Sequence, residues 1–411
     1  MSEMYLVFLR DLTWRTLEGG EEFTSLKKRF GRLVQERYPE ELQLPQAYLS
    51  LLSHLLKLPT FPIRPQQFPN GATVLDGLGL IIGGQVPELA QIAELGSLWM
   101  ILGVVLKNDA LIYSGLKMAV WQFHTLDHQG IPHLSLWSKA DSFTGKKLTA
   151  YNHLLFSLAY RLTKERAFAK VAQMQESDRQ SLPGKLLHFI SEQYEPAIRL
   201  SYRPLLEEMT VGLLKFTTPV WSMACTLSGF NSGMFSYHKK RVAILNSGPQ
   251  VQPLDDAKLF GIERSCSLKT RRFSETTWEK TAHHFRFKGW TKVHALPTWM
   301  ETDYYFQAQK LNFSCFFQEG RPLDQLYLAF YCRGDKVTVG GKLTLERGRI
   351  TKYQGKSSPL EILADDEVIY LEPGSETEME VIPLSGGDEF WGADFLIALK
   401  VYKNALKFVI K

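Results

Sequence analysis

Three short stretches gather side chains able to bind ligands or move protons. The first is WQFHTLDHQGIPHLSLW, residues 121–137, where His124, Asp127, His128 and His133 stand between Trp121 and Trp137. His124 and His128 are four apart and share a face of any helix that runs through both, on ligand type a possible divalent metal site. Gly130 and Pro132 break that frame and no second ligand cluster accompanies it, so no metal is expected. Two other readings stay open. One is a helix end with partly exposed histidines. The other is a sugar subsite, with Trp121 or Trp137 as the stacking face and the histidines as hydrogen-bond partners. The second stretch is TAYNHLL, residues 149–155. Tyr151, Asn152 and His153 put a phenol, an amide and an imidazole at the start of a helix, a set that can transfer protons and neutralise a carboxylate. A helix start with Tyr151 packed beneath Asn152 is the simpler reading.

The third stretch is GFNSGMFSYHKKRVAILNSGP, residues 229–249, with Tyr237, His238, Lys239, Lys240 and Arg241 in one row. In an extended strand Tyr237, Lys239 and Arg241 face one way, His238 and Lys240 the other. A bulge or turn here gathers them for an acidic ligand; a solvated hairpin is the plainer alternative. Further basic groups follow: Lys269, Arg271 and Arg272, then His283, His284, Arg286 and Lys288 close to Trp290. Such mixtures suit nucleic acid or anionic glycans, because Arg pairs with either anion.

The charge is uneven. Residues 221–300 hold twelve Lys/Arg and five Asp/Glu, residues 351–411 six and eleven, within a net charge of +5. That asymmetry favours an anionic partner near the basic segment, or two oppositely charged faces meeting each other. Nucleic acid is not expected, since the overall charge is modest and no recognised module is present. There is no GxxxxGK[ST], no strand-anchored GxGxxG, no HExxH and no GxSxG, so no cofactor is expected. The four cysteines, Cys225, Cys266, Cys315 and Cys332, are scattered and fit reduced thiols. The apolar run Tyr5–Leu9 is too short to read as a signal peptide and is followed at once by Arg10 and Asp11, and no uncharged run reaches the length of a membrane span. The expectation is a cytoplasmic chain, or one exported without a cleavable leader.

The elements that must position these residues change near Phe216. Before it, helical apolar spacing runs over Glu22–Tyr38, Gln46–Leu58, Val86–Thr125 (interrupted at Asn108-Asp109), Leu148–Gln175 as a pair, Gly184–Gln193 and Arg203–Lys215. The proline-rich 59–71 is an extended connection. GVVLKNDALIYSGLKMA (103–119) lines up with AYRLTKERAFAKVAQMQ (159–175) as a repeated helical hairpin. After Phe216, short β-branched and aromatic runs separated by GG, PG and GG turns predict a large antiparallel β-sandwich. The predicted layout is an α-helical domain over 1–215, with an N-terminal piece at 1–58, then a β-sandwich domain over 216–411.

A helical half with hairpin repeats before a long antiparallel β half resembles the heparinase II/III-like and related polysaccharide lyases. SGFNSGMFSYHKKRVAILNSGPQ resembles their early sandwich strands. The resemblance covers nearly the whole chain and rests on architecture. It implies an α/α toroid, here incomplete, joined to the sandwich. It also implies β-elimination of a uronate-containing glycan, with a carboxylate neutraliser, a base and an acid. On this resemblance Asn152 or His153 is the neutraliser, His238 the base and Tyr237 the acid. Trp121, His124, His128, Trp137, Tyr151, Lys239, Lys240 and Arg241 are the binding residues. The chain departs from the family in its short helical part and in having Asn231-Ser232-Gly233 where the family has a His- and Asp-rich turn. The alternative is a non-catalytic glycan- or protein-binding protein on the same plan.

Overall fold

The structure is a computed structural model describing residues 2–19, 23–35, 43–59, 89–127, 129–133, 145–175, 178–193, 213–226, 229–230, 234–251, 272–293, 296–319, 326–349, 351–384, 392–401 and 406–411. The chain packs as two compact units. One holds the helices; the other holds the strands together with the turn that follows Thr125.

Among the described residues, eight helices form the first unit: α1 (Ser2–Glu18), α2 (Phe23–Gln35), α3 (Gln43–Leu55), α4 (Leu89–Val105), α5 (Asp109–Thr125), α6 (Gly145–Thr163), α7 (Arg166–Met174) and α8 (Leu182–Gln193). α4 packs on α3 and α6, and α1 on α3 and α8. α4 is apolar on nearly every side, with Ile92, Ala93, Leu98, Trp99, Met100, Ile101 and Leu102 buried, as a central helix must be. Its approach to α5 is close: a Cβ on Gly115 would lie 2.6 Å from the Gly96 carbonyl oxygen. The break between α4 and α5 falls where the sequence places it. Asn108 Oδ1 accepts the Ala110 N–H at 3.1 Å and caps α5. Both turns of the aligned repeat contain a lysine in the left-handed region, Lys107 (φ 54°) and Lys164 (φ 61°). Helix α1 lies within the helical piece predicted over 1–58 without separate bounds, and its buried Tyr5, Leu9 and Leu12 carry helical spacing.

Inside this unit sits a buried ionic knot. Arg10 donates to Glu94 at 2.6 and 2.5 Å, Tyr48 OH donates to Glu94 Oε1 at 2.5 Å, and Tyr151 OH donates to the same oxygen at 2.9 Å. One carboxylate thereby joins α1, α3, α4 and α6. Burial works against the Arg10 charge, but the hydrogen bond and charge of Glu94 outweigh it and hold the guanidinium protonated. Burial, followed by neighbouring charge, pushes both phenols well above their ordinary range.

The second unit is an antiparallel sandwich. Its strands are β1 (Leu213–Thr217), β2 (Ser222–Thr226), β3 (Gly229–Phe230), β4 (Ser236–Lys239), β5 (Val242–Val251), β6 (Arg272–Lys280), β7 (His284–Val293), β8 (Leu296–Phe306), β9 (Leu311–Glu319), β10 (Leu326–Arg333), β11 (Lys336–Val339), β12 (Leu343–Glu346), β13 (Tyr353–Lys356), β14 (Leu360–Ala364), β15 (Glu367–Pro373), β16 (Glu378–Pro383), β17 (Phe395–Lys400) and β18 (Leu406–Ile410). One sheet runs β1-β2-β4-β5-β10-β17-β16-β13 and the other β12-β11-β14-β15-β18-β9-β8-β7-β6-β3. Their inner faces share one core, in which Trp221, Tyr237, Phe330 and Phe395 from the first sheet meet Phe285, Tyr304, Phe313 and Phe408 from the second. Cys225, Cys315 and Cys332 are free thiols buried in it; Cys266 lies outside the described residues.

The α-then-β layout is as the sequence predicts. One boundary differs: Leu213–Thr217 is strand β1, so the end of the helix predicted over Arg203–Lys215 is extended backbone. The tertiary reason is pairing with β2 along all five residues. The proline-rich 59–71 segment falls almost wholly outside the described residues.

Replacing Glu94 by Gln strips the knot of its only carboxylate and leaves the Arg10 charge uncompensated. It is expected to destabilise the helical unit by about 3 kcal/mol in urea unfolding followed by far-ultraviolet circular dichroism. A loss under about 1 kcal/mol, as for a surface pair, would contradict this account of the knot.

Candidate functional site

The polar residues that the β unit buries together lie on the outer face of its first sheet. Ser222 of β2 is paired with His238 of β4, and Ala224 with Ser236. These side chains alternate with Met223 and Tyr237, which enter the core. His238 is paired in turn with Ala243 of β5, and Ala243 with Arg333 of β10. Lys215 of β1 lies opposite Ala224. Small residues thus leave room on this face, and polar and cationic groups occupy it.

The turn after α5 covers that face. Leu126 and Pro132 form a bridge. Asp127 Oδ1 accepts the N–H groups of Gln129 and Ile131, each at 2.8 Å, which fixes the turn as an Asx-type loop. The other carboxylate oxygen accepts His238 Nδ1–H at 3.0 Å, with His238 only 1% exposed. His133 lies beside it, with ring centroids 4.2 Å apart and planes tilted by 32°. Its Nδ1 is 2.7 Å from Ser236 Oγ and its Nε2 3.0 Å from Ser222 Oγ. The Lys215 ammonium donates to the Leu126 carbonyl.

The electrostatics follow from burial and pairing. Burial raises the Asp127 carboxyl, but the His238 hydrogen bond and charge, with the Ile131 and Gln129 N–H groups, outweigh it and hold the acid below its ordinary range. Burial pulls Lys215 down to about 8, against the opposing charge of Asp127. Burial also lowers Arg333, which Asp394 and Asp127 partly offset.

The residues singled out from sequence are distributed as follows. Tyr237 is stacked on Trp221 (centroids 4.9 Å) inside the core, and burial raises its phenol. Its hydroxyl has no hydrogen-bond partner among the described residues. Tyr237 and His238 therefore occupy opposite faces of β4. In the helical unit, buried Asn152 accepts the Gln122 amide at 2.9 Å, and His153 Nδ1–H donates to the Ala172 carbonyl at 2.9 Å. Tyr151 belongs to the Glu94 knot. Trp121 and His124 are buried at the end of α5. His128 and Trp137 lie outside the described residues. Lys240 and Arg241 form the β4–β5 turn and pair with Glu367 and Asp365, at the turn between β14 and β15. Half-buried Lys239 is lowered by burial, with Glu367 opposing the shift. So the basic row meets acidic partners, the second of the two readings that the charge asymmetry allowed. Ser222, Ser236, Lys215 and Arg333 were not anticipated. The small-polar alternation of Ser222-Met-Ala and Ser236-Tyr-His is the signal that marks their face.

The outer face of the other sheet carries a different array. Cross-strand pairs on β7 and β8 run His284–Tyr305, Arg286–Asp303, Lys288–Glu301 and Trp290–Trp299. Their neighbours Phe285, Phe287, Met300 and Tyr304 point into the core. This face is half-exposed, and Tyr305 is 48% exposed.

No family model matches the chain, and a search of curated proteins found no match to its sequence. Two solved structures of the heparan sulfate lyase HepC from Pedobacter heparinus, one of them a mutant, align with it at TM-scores of 0.31 and 0.32 and 9% identity. The alignments cover 77% of this chain and 59% of theirs. No helix among the described residues is long and apolar enough to cross a membrane.

The Lys215 shift predicts a pH dependence. Between about pH 8 and lysine's ordinary 10.5, the unfolded chain holds a proton on Lys215 that the folded chain has released. Unfolding then takes up protons, so stability rises with pH across that window. Measured against Lys215→Met by denaturant unfolding, the native chain should gain stability from pH 8 to 10.5. A constant difference between the two would show that Lys215 is not buried in this way.

Proposed function

We propose that this chain binds a glycan and does not cleave it by elimination through Tyr237 and His238. The observation that carries the reading is the division of β4. The phenol is sealed among aromatic rings with its proton held more tightly than usual, while the imidazole behind it is bonded to Asp127. A uronate lyase needs an acid and a base in one cleft, both within hydrogen-bonding reach of the same sugar ring. Strand alternation separates these two, and both side chains are buried. The candidate neutralisers, Asn152 and His153, are likewise engaged with Gln122 and Ala172.

Binding is supported by the exposed array on β7 and β8. Aromatic rings beside hydrogen-bonding side chains are the ordinary means of holding a sugar, because a ring face covers pyranose C–H groups while polar groups reach the hydroxyls. That surface supports binding, and the helix-plus-sandwich plan adds only analogy.

The test is a panel of neutral and uronate-containing polysaccharides. Native affinity electrophoresis should show retardation by at least one of them. Incubation with the uronate polymers should give no rise in the ultraviolet absorbance of unsaturated products. A rise that disappears in His238→Ala would overturn the non-catalytic reading.

A further inference from the structure

Resting on the glycan-binding reading, we infer that the β7–β8 face takes a neutral hexopyranose chain lying along the strands, and not a sulfated or uronate polymer. Its two aromatic stations stand six residues apart on β7, about 20 Å at the rise of an extended strand. At one end the His284 ring stacks on Tyr305, with centroids 4.4 Å apart and planes 22° from parallel. At the other, Trp290 meets Trp299 edge-on at 5.3 Å. The interval spans several sugar residues and gives an extended oligosaccharide a platform at each end.

The groups between the stations decide the ligand's charge. Arg286 Nε donates to Asp303 Oδ1 at 2.7 Å, and His284 Nε2 lies 3.0 Å from the same oxygen. Lys288 Nζ is 3.2 Å from Glu301 Oε2, while Glu301 Oε1 accepts Trp299 Nε1–H at 3.0 Å. Each cation in these two rows thus has a carboxylate partner, and Glu279 lies beside Arg286 on β6. A sulfate or uronate placed here displaces those carboxylates or sits against them, and like charges brought together oppose binding. A neutral sugar meets paired donors and acceptors instead. Strand β9 extends the same face with uncharged groups, Asn312 opposite Tyr305, Ser314 opposite Asp303 and Gln318 opposite Trp299.

The experiment is affinity electrophoresis of the full chain against neutral glucan, galactan and mannan, and against heparan sulfate, hyaluronan and alginate. It compares the native protein with Tyr305→Ala, Trp299→Ala and the double variant Asp303→Asn/Glu301→Gln, each checked for native circular dichroism. Tyr305 is exposed, so its loss tests binding even where Trp299→Ala disturbs the fold. A neutral polymer should retard the native chain, and Tyr305→Ala should weaken that binding about tenfold. The double variant, freed of two carboxylates, should gain retardation by an acidic polymer. If an acidic polymer binds the native face and Tyr305→Ala weakens it, neutrality is wrong while glycan binding stands. If no polymer binds, or Tyr305→Ala and Trp299→Ala both leave binding unchanged, this site is wrong. The first of those two outcomes also removes the glycan-binding reading.

Discussion

Successive side chains of β4 point to opposite sides of the sheet, and the polar architecture of the β unit follows from that alternation. Tyr237 completes an aromatic core that runs from Trp221 to Phe313 and Phe408. Ser236 and His238 point outward, and an outward imidazole on a covered sheet needs a partner. Asp127 supplies it. The Asp127 turn in turn brings His133 between Ser222 and Ser236, so the turn, β2 and β4 are held by one set of hydrogen bonds. A buried polar network of this kind is stabilising only when its members are satisfied, which gives the turn a single docking geometry.

The pairing of charge with countercharge recurs across the molecule, at buried and at exposed positions. Glu94 collects Arg10 and two phenols in the helical unit. On β7 and β8, Asp303 holds Arg286 and His284. At the exposed β4–β5 turn, Lys240 and Arg241 meet the acidic turn after β14, where the pairs contribute little energy but cancel the local field. At this turn the basic and acidic segments therefore meet, and Lys240 and Arg241 leave no unbalanced pair of charges.

Much of the fold was legible, because apolar periodicity is local. The breaks at Asn108 and near Lys164 and the strands Lys336–Val339 and Leu326–Arg333 are carried by adjacent residues. Even the opposite facing of Tyr237 and His238 follows from the strand period. Helix α1 falls inside the helical piece predicted over 1–58, although the short apolar run Tyr5–Leu9 followed by Arg10 and Asp11 does not mark its bounds. The site was far less legible. His238 and Asp127 are 111 residues apart, and Arg10 and Glu94 are 84 apart. No local pattern reports such pairings. For the same reason His284, Arg286 and Lys288 read as a basic patch in sequence. Their neutralising carboxylates arrive on the next strand, and only the register of β7 against β8 brings them into line.

The most direct measurement of the central claim is the stability and glycan retardation of Tyr237→Phe. The substitution keeps the stacked ring and removes a buried hydroxyl that has no partner among the described residues. A sealed core phenol predicts equal or greater stability, by up to about 1–3 kcal/mol, because an unsatisfied buried polar group is lost, together with unchanged retardation. A phenol that serves chemistry or holds a ligand predicts the opposite: weakened binding or lost turnover in a normally folded protein. That result would contradict the placement of Tyr237 in the core and return it to the site.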